Sequence, residues 1–135
     1  MFICIISLLM GACNSQIEFV AYGDWGDSTK GLKDTIASVN RMSPKREFNL
    51  LLGDNFYPSG VSSVNDPQFS IFTDDVLGNS KSPHHLVLGN HDYIGSVSSQ
   101  VQYSQINNYW DLPSTYYKRT YSIKGVSVCL IFIDT

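Results

Sequence analysis

Apolar residues recur along this chain with two different periods. Between Ile17 and Gly23, β-branched and aromatic residues run into a glycine, which predicts a strand. From Leu32 to Met42 the apolar positions Leu32, Ile36 and Val39 return every three or four residues, with Pro44 just past the end, which predicts a helix. Phe48 to Gly53 is a short, nearly unbroken apolar run, the form of a buried parallel strand. Pro67 to Leu77 returns to the helical period through Phe69, Phe72 and Val76, with Pro67 suited to the first turn. Leu86 to Gly89 reads as a third buried strand, and Ser96 to Ile106 as a helix through Val97, Val101 and Ile106. Tyr116 to Ile123 and Val126 to Ile133 then form a hairpin over Lys124 and Gly125. Strands alternating with helices predict an α/β fold with a mainly parallel sheet.

The polar residues sharpen this picture. Asp24, Asp54 and Asn90 each follow directly on a predicted strand and its glycine. Open α/β sheets bind ligands beyond the carboxyl ends of their strands. Three oxygen-bearing side chains delivered to that one edge define a site from pattern alone.

The first thirteen residues stand apart. Phe2 to Met10 is an apolar run that ends in the small residues Gly11 and Ala12. It is shorter than the roughly 20 residues a membrane-spanning helix needs, and it fits the apolar core of a secretory signal peptide, although no Lys or Arg precedes it. A buried first strand or helix is the alternative. Met10-Gly11-Ala12-Cys13 also resembles a bacterial lipoprotein cleavage site, with Met10 in place of the usual leucine and Cys13 as the residue that would carry the lipid. Residues 1–13 are therefore expected to be a leader. The protein is then expected to be secreted, extracellular, lysosomal or periplasmic, or held at a membrane as a lipoprotein. With the leader gone, Cys129 is the sole cysteine, expected to be a buried, inert thiol in an apolar run. No disulfide can form in such a chain, and no Asn-x-Ser/Thr acceptor is present.

Composition sets the remaining bounds. The 135 residues are 43% hydrophobic and 16% charged, which suits one globular domain and argues against disorder. A net charge of −3 and a pI near 5.4 disfavour nucleic acid as a partner. No internal repeat or low-complexity tract appears.

Three clusters carry the chemistry. Gly23-Asp24-Trp25-Gly26-Asp27 turns sharply out of a strand and sets a carboxylate at the sheet edge; taken alone, it is equally an ordinary turn. Gly53-Asp54-Asn55-Phe56-Tyr57 offers a carboxylate and, three residues on, a phenol. A carboxylate can bridge two cations and a phenolate is a hard donor that suits Fe(III), although Tyr57 taken alone reads as a core aromatic. Gly89-Asn90-His91-Asp92-Tyr93 supplies an amide oxygen and then an imidazole able to move a proton or stabilise charge.

Together these blocks resemble the first three of five metal-binding blocks of the calcineurin-like metallophosphoesterases. Tyr57 narrows the resemblance to purple acid phosphatases of the small, tartrate-resistant type. The resemblance implies a layered α-β-β-α sandwich, of which residues 14–135 would be the N-terminal part. It implies an acid phosphatase that hydrolyses phosphate monoesters with two metal ions, Fe(III) plus a divalent Fe, Zn or Mn. In that reading Asp24 and Tyr57 bind Fe(III), Asp54 bridges both metals, and Asn90 binds the divalent ion. His91 would face the substrate phosphate as a catalytic group, while a metal-bound hydroxide attacks phosphorus. Asp27 and Asp92 would support the ligands from behind, and Trp25 and Tyr93 would either shape the pocket or simply pack.

The chain also departs from that pattern. The family's two later blocks supply three histidine ligands, yet the only histidines here are His84, His85 and His91. The chain is therefore expected to be incomplete, and impaired in activity by itself. His84 and His85 precede a predicted strand and are expected in a loop or at the surface, toward the edge opposite Asn90. The rival enzyme reading is a metallophosphoesterase acting on diesters or nucleotides. A non-catalytic binding module on the same fold is the other.

Overall fold

Four parallel strands and one antiparallel edge strand form the principal sheet of the computed structural model, which describes residues 3–9, 16–77, 80–123 and 125–135. In spatial order they are β1 (Ile3–Leu9), β2 (Gln16–Tyr22), β3 (Phe48–Leu52), β4 (His84–Val87) and β5 (Trp110–Asp111). β2 to β5 run parallel, whereas β1 pairs antiparallel with β2 from Ile3↔Tyr22 to Leu9↔Gln16. β6 (Tyr117–Ile123) and β7 (Val126–Phe132) form a separate antiparallel hairpin. The expected α/β class with a mainly parallel sheet is what the chain adopts.

Each face of the principal sheet is covered differently. α1 (Lys30–Met42) starts at Thr29, whose Oγ1 accepts the Leu32 amide at 3.1 Å, and buries Leu32, Ile36 and Val39. It packs with a π-helical segment, Ile71–Leu77, that buries Phe72 and Val76. Aromatic rings fill the space beneath: Phe56 stacks on Trp110 at 5.6 Å, and Phe69 on Tyr103 of α2 (Val97–Tyr103) at 3.7 Å. On the other face lies the β6–β7 hairpin, with Tyr121 tilted against Phe48 at 4.6 Å and Tyr117 stacked on Phe132 at 4.3 Å. The Tyr117 hydroxyl reaches the carbonyls of Leu86 and Asp111, at 2.7 and 2.8 Å. These are three layers: helices, parallel sheet, second sheet.

Several expectations need correction. His84 and His85 are neither in a loop nor at the surface; they form the start of β4, with 0% and 2% exposure. Successive strand residues face opposite sides, so His84 meets Phe72 under the helices while His85 meets Tyr121 and Phe132 of the hairpin. Cys129 is exposed, because β7 alternates and places it on the outer face. Ile106 is also exposed, at 59%; α2 buries Ser99, Gln100 and Tyr103 instead. The helix expected from Pro67 opens with turn residues at Pro67 and Gln68, is helical from Phe69 and runs to Leu77 as a π-helix from Ile71. Within the segment read as a leader, Ile3–Leu9 pairs along the sheet edge as β1, while Met10 to Cys13 lie outside the described residues. No helix among the described residues is long and apolar enough to cross a membrane.

A candidate metal centre at the carboxyl edge of the sheet

β2 and β3 end side by side, and each passes through a glycine to an aspartate. Asp24 and Asp54 both adopt φ 53, the left-handed region that few residues other than glycine enter. Aspartate tolerates this better than most residues, but such backbone persists only where its surroundings hold it. Here three backbone hydrogen bonds do so: Asp24 N–H to Gly53 O and Gly26 N–H to Asp54 O, each 3.2 Å, and Tyr57 N–H to Gly26 O at 2.9 Å. The loops lie so close that a Cβ on Gly26 would stand 2.5 Å from the Asn55 carbonyl carbon.

The Tyr57 hydroxyl lies 3.0 Å from Asp24 Oδ1 and 2.8 Å from Asp54 Oδ2. Burial, reinforced by its bonds to Asp54 and Asp24, pushes this phenol well above the usual tyrosine range. Asp54 Oδ1 accepts the His91 amide at 3.1 Å, and the His91 ring stands 4.6 Å from the Tyr57 ring. His91 Nδ1 meets the Pro58 carbonyl at 2.6 Å, which fixes it as the protonated nitrogen and leaves Nε2 for other work. Gly89 makes room for Asp54, since a Cβ there would fall 2.2 Å from Asp54 Oδ1. Asn90, next to His91, is exposed at the same edge.

Beneath the three loops sits a brace that the sequence reading only partly anticipated. Asp92 is fully buried and accepts the Asn55 amide at 3.1 Å, the Gly89 amide at 2.8 Å and Gln100 Nε2 at 2.9 Å. Burial raises its pKa, partly offset by those same donors. Asn55 in turn accepts from Trp25 Nε1 at 3.1 Å and donates to the Val87 carbonyl and Gln100 Oε1. Trp25 is a core residue, 1% exposed, whereas Tyr93 is half exposed and donates to Asp134. Asp27 is exposed in the cleft it lines with Asp24 and Tyr57. Asn55 and Gln100 were missed; Gln100 shares its short helix with Ser98, Ser99 and Gln102, so nothing in the local pattern singles it out.

The donors suit a hard cation. Two carboxylates share one phenolic proton, and a cation entering there would replace that proton and find three oxygen ligands converging. Among the described residues no group of three His, Cys, Asp or Glu could hold a metal, so a cation bound at this edge would need a donor of another kind, such as the Tyr57 phenol, beside Asp24 and Asp54.

Comparison with known proteins identifies the family. The profile of the calcineurin-like phosphoesterases matches residues 17–132, and the chain belongs to that family. Within it, the chain is similar to human (Homo sapiens) tartrate-resistant acid phosphatase type 5, with 35% identity over 96% of this chain and 43% of that protein. Purple acid phosphatase 3 of Arabidopsis thaliana is 31% identical over 90% of this chain and 34% of its own length. A solved structure described as GAP50, the anchor in the inner membrane complex of Plasmodium, superposes with a TM-score of 0.72 at 26% identity, over 89% of this chain and 42% of that one. The chain thus spans less than half the length of these relatives.

Proposed function

We propose that this protein is an acid phosphatase that hydrolyses phosphate monoesters at a dinuclear metal centre. The observation that carries the reading is the Tyr57 hydroxyl held between Asp24 and Asp54, with His91 beside it. Asp24, Tyr57 and Asp54 would hold Fe(III), and Asp54 with Asn90 a divalent Fe, Zn or Mn. Such a pair supplies positive charge for a phosphate group and a source of nucleophilic water at acidic pH.

The protein's own residues do the rest. His91 Nδ1 is anchored on the Pro58 carbonyl, so a protonated imidazole presents its Nε2–H to the leaving oxygen and stabilises the charge developing there. The His91 amide and the space left by Gly89 fix Asp54, and Asp92 ties the Asn55 and Gly89 amides into one unit. The cleft lined by Asp24, Asp27, Thr35 and Tyr57 would take the alcohol portion of the substrate. The leader reading belongs here too: residues 1–13 would direct secretion, with Cys13 as the alternative lipid anchor.

The test is the full-length protein purified with iron and zinc and assayed on an aryl phosphate at pH 5. Turnover is expected, with a loss of about 100-fold or more on His91→Ala. A visible absorption band should vanish in Tyr57→Phe while the circular dichroism stays unchanged. Undiminished turnover in Asp54→Ala overturns the proposal, and a preference for diesters or nucleotides returns the rival enzyme reading. The likeness to GAP50 favours a second reading, a non-catalytic anchoring domain; a folded, metal-loaded protein without turnover would select it.

A further inference from the structure

The opposite end of the sheet carries a feature that the phosphatase reading does not use. Arg46 lies two residues before β3 and Ser82 two residues before β4, at the amino ends of the strands whose carboxyl ends lead into Gly53 and Gly89. There Asn40, Lys45, Arg46, Ser80, Lys81 and Ser82 line a pocket of about 310 Å³. Arg46 is 5% exposed, yet its guanidinium meets only neutral acceptors. Nε donates to Asn49 Oδ1, Nη1 to the Ser43 carbonyl at 2.8 Å, and Nη2 to Asn40 Oδ1 at 2.7 Å and Ser80 Oγ at 3.2 Å. Burial lowers its pKa, partly offset by the Tyr22 hydroxyl and the Glu18 carboxylate nearby, neither of which forms an ion pair or hydrogen bond with the guanidinium.

Lys45 and Lys81 are exposed at the rim. No Asp or Glu lines the pocket, and none of the three cations pairs with a carboxylate among the described residues. In a chain with 12 acidic and 9 basic residues, three unpaired cations around one concavity are a local inversion of charge. Ser80 Oγ already accepts from Arg46 and from the Ser82 amide, so its own hydroxyl proton remains to donate outward.

We propose that this pocket is a second anion site that binds a phosphate-type dianion, with Arg46 as its floor, Lys45 and Lys81 as its charged rim and Ser80 as a hydroxyl donor. Three positive charges with a hydroxyl match a tetrahedral dianion better than a single carboxylate. The phosphate could arrive free or as the head of a small phosphate ester, and the pocket has room for part of such an ester. The site lies at the end of the sheet away from Asp24, Asp54 and Tyr57, so its binding does not depend on the metal centre.

The test uses the full chain carrying Asp54→Asn, which disables the proposed centre, titrated calorimetrically with inorganic phosphate and separately with glycerol 3-phosphate in low salt. One equivalent is expected to bind, and adding Lys45→Ala and Lys81→Ala should weaken binding at least about fivefold. Both lysines are exposed, so an unchanged circular dichroism spectrum will show that the fold survives. Binding of both ligands identifies an ester-tolerant site, and binding of inorganic phosphate alone a site for the free ion; either supports the proposal. No binding, or equal affinity with and without the lysines, overturns it.

Discussion

Replacing His84 with leucine should stabilise the protein, and more so in acid. The His84 ring is fully buried against Phe72, and neither of its nitrogens has a hydrogen-bond partner among the described residues. Desolvation, reinforced by the neighbouring Arg46 charge and only weakly opposed by the nearby Ser82 backbone, which lies outside good hydrogen-bond geometry, pushes its pKa from 6.5 down to about 3. Between those values the unfolded chain binds a proton that the folded chain refuses. Stability is therefore lost as pH falls below 6.5, by about 1.4 kcal/mol per pH unit, or roughly 2 kcal/mol at pH 5. Leucine has nearly the same volume, removes both orphaned nitrogens and cannot titrate. At pH 7.5 the variant should gain about 1–3 kcal/mol from losing the unsatisfied polar atoms. At pH 5 the gain should be about 2 kcal/mol larger. Urea unfolding of the full chain and its His84→Leu variant at both pH values gives the comparison, with other titrating groups cancelling. Equal gains at the two pH values would refute the argument, as would a His84 ring resonance that titrates near 6.5.

Gly89→Ala would drive a Cβ to 2.2 Å from Asp54 Oδ1; turnover should fall at least as far as in Asp54→Ala, with roughly 1–3 kcal/mol of stability lost in urea titration. Asp92→Ala strands the Asn55 and Gly89 amides and Gln100 Nε2, which should cost about 3 kcal/mol or more, read from the unfolding midpoint. Asp111 binds His85 and Arg119, and these contacts, outweighing its burial, hold its carboxyl below the usual 3.8. Its contribution is present above pH 3.8 and lost as pH falls through the folded value, so Asp111→Asn should destabilise at pH 6 and progressively less below pH 4, measured by acid unfolding.

β2 and β3 are legible in the chain because each is an apolar run that stops at a glycine followed by an aspartate. The same junctions deliver Asp24, Asp54 and Tyr57, so their convergence follows from local pattern plus parallel pairing. Asp92 is different. Two of its three partners are backbone amides, and Asn55 is 37 residues away, which no spacing rule reveals. His84 and His85 next to Pro83 carry no apolar signal of their own. Pairing with Asn49 and Leu50 of β3 and with β5, itself only Trp110 and Asp111, is what buries them. The exposure of Cys129 likewise depends on which face of β7 turns outward, a choice that an unbroken apolar run conceals.

The pairing of β1 bears on the proposed role of residues 1–13 as a leader. Seven consecutive residues of the segment read as a leader are zipped against Gln16–Tyr22, so a chain that folds first buries in a ladder the stretch that an export receptor must grip. Under the leader proposal, export and folding would compete for the same residues, and secretion would require the chain to be handed over before β2 recruits them. Cleavage after the leader would leave β2 as the outermost strand, with the amides and carbonyls that served β1 open to the next chain. Newly matured protein would be most prone to self-association at that moment, before anything else covers the edge.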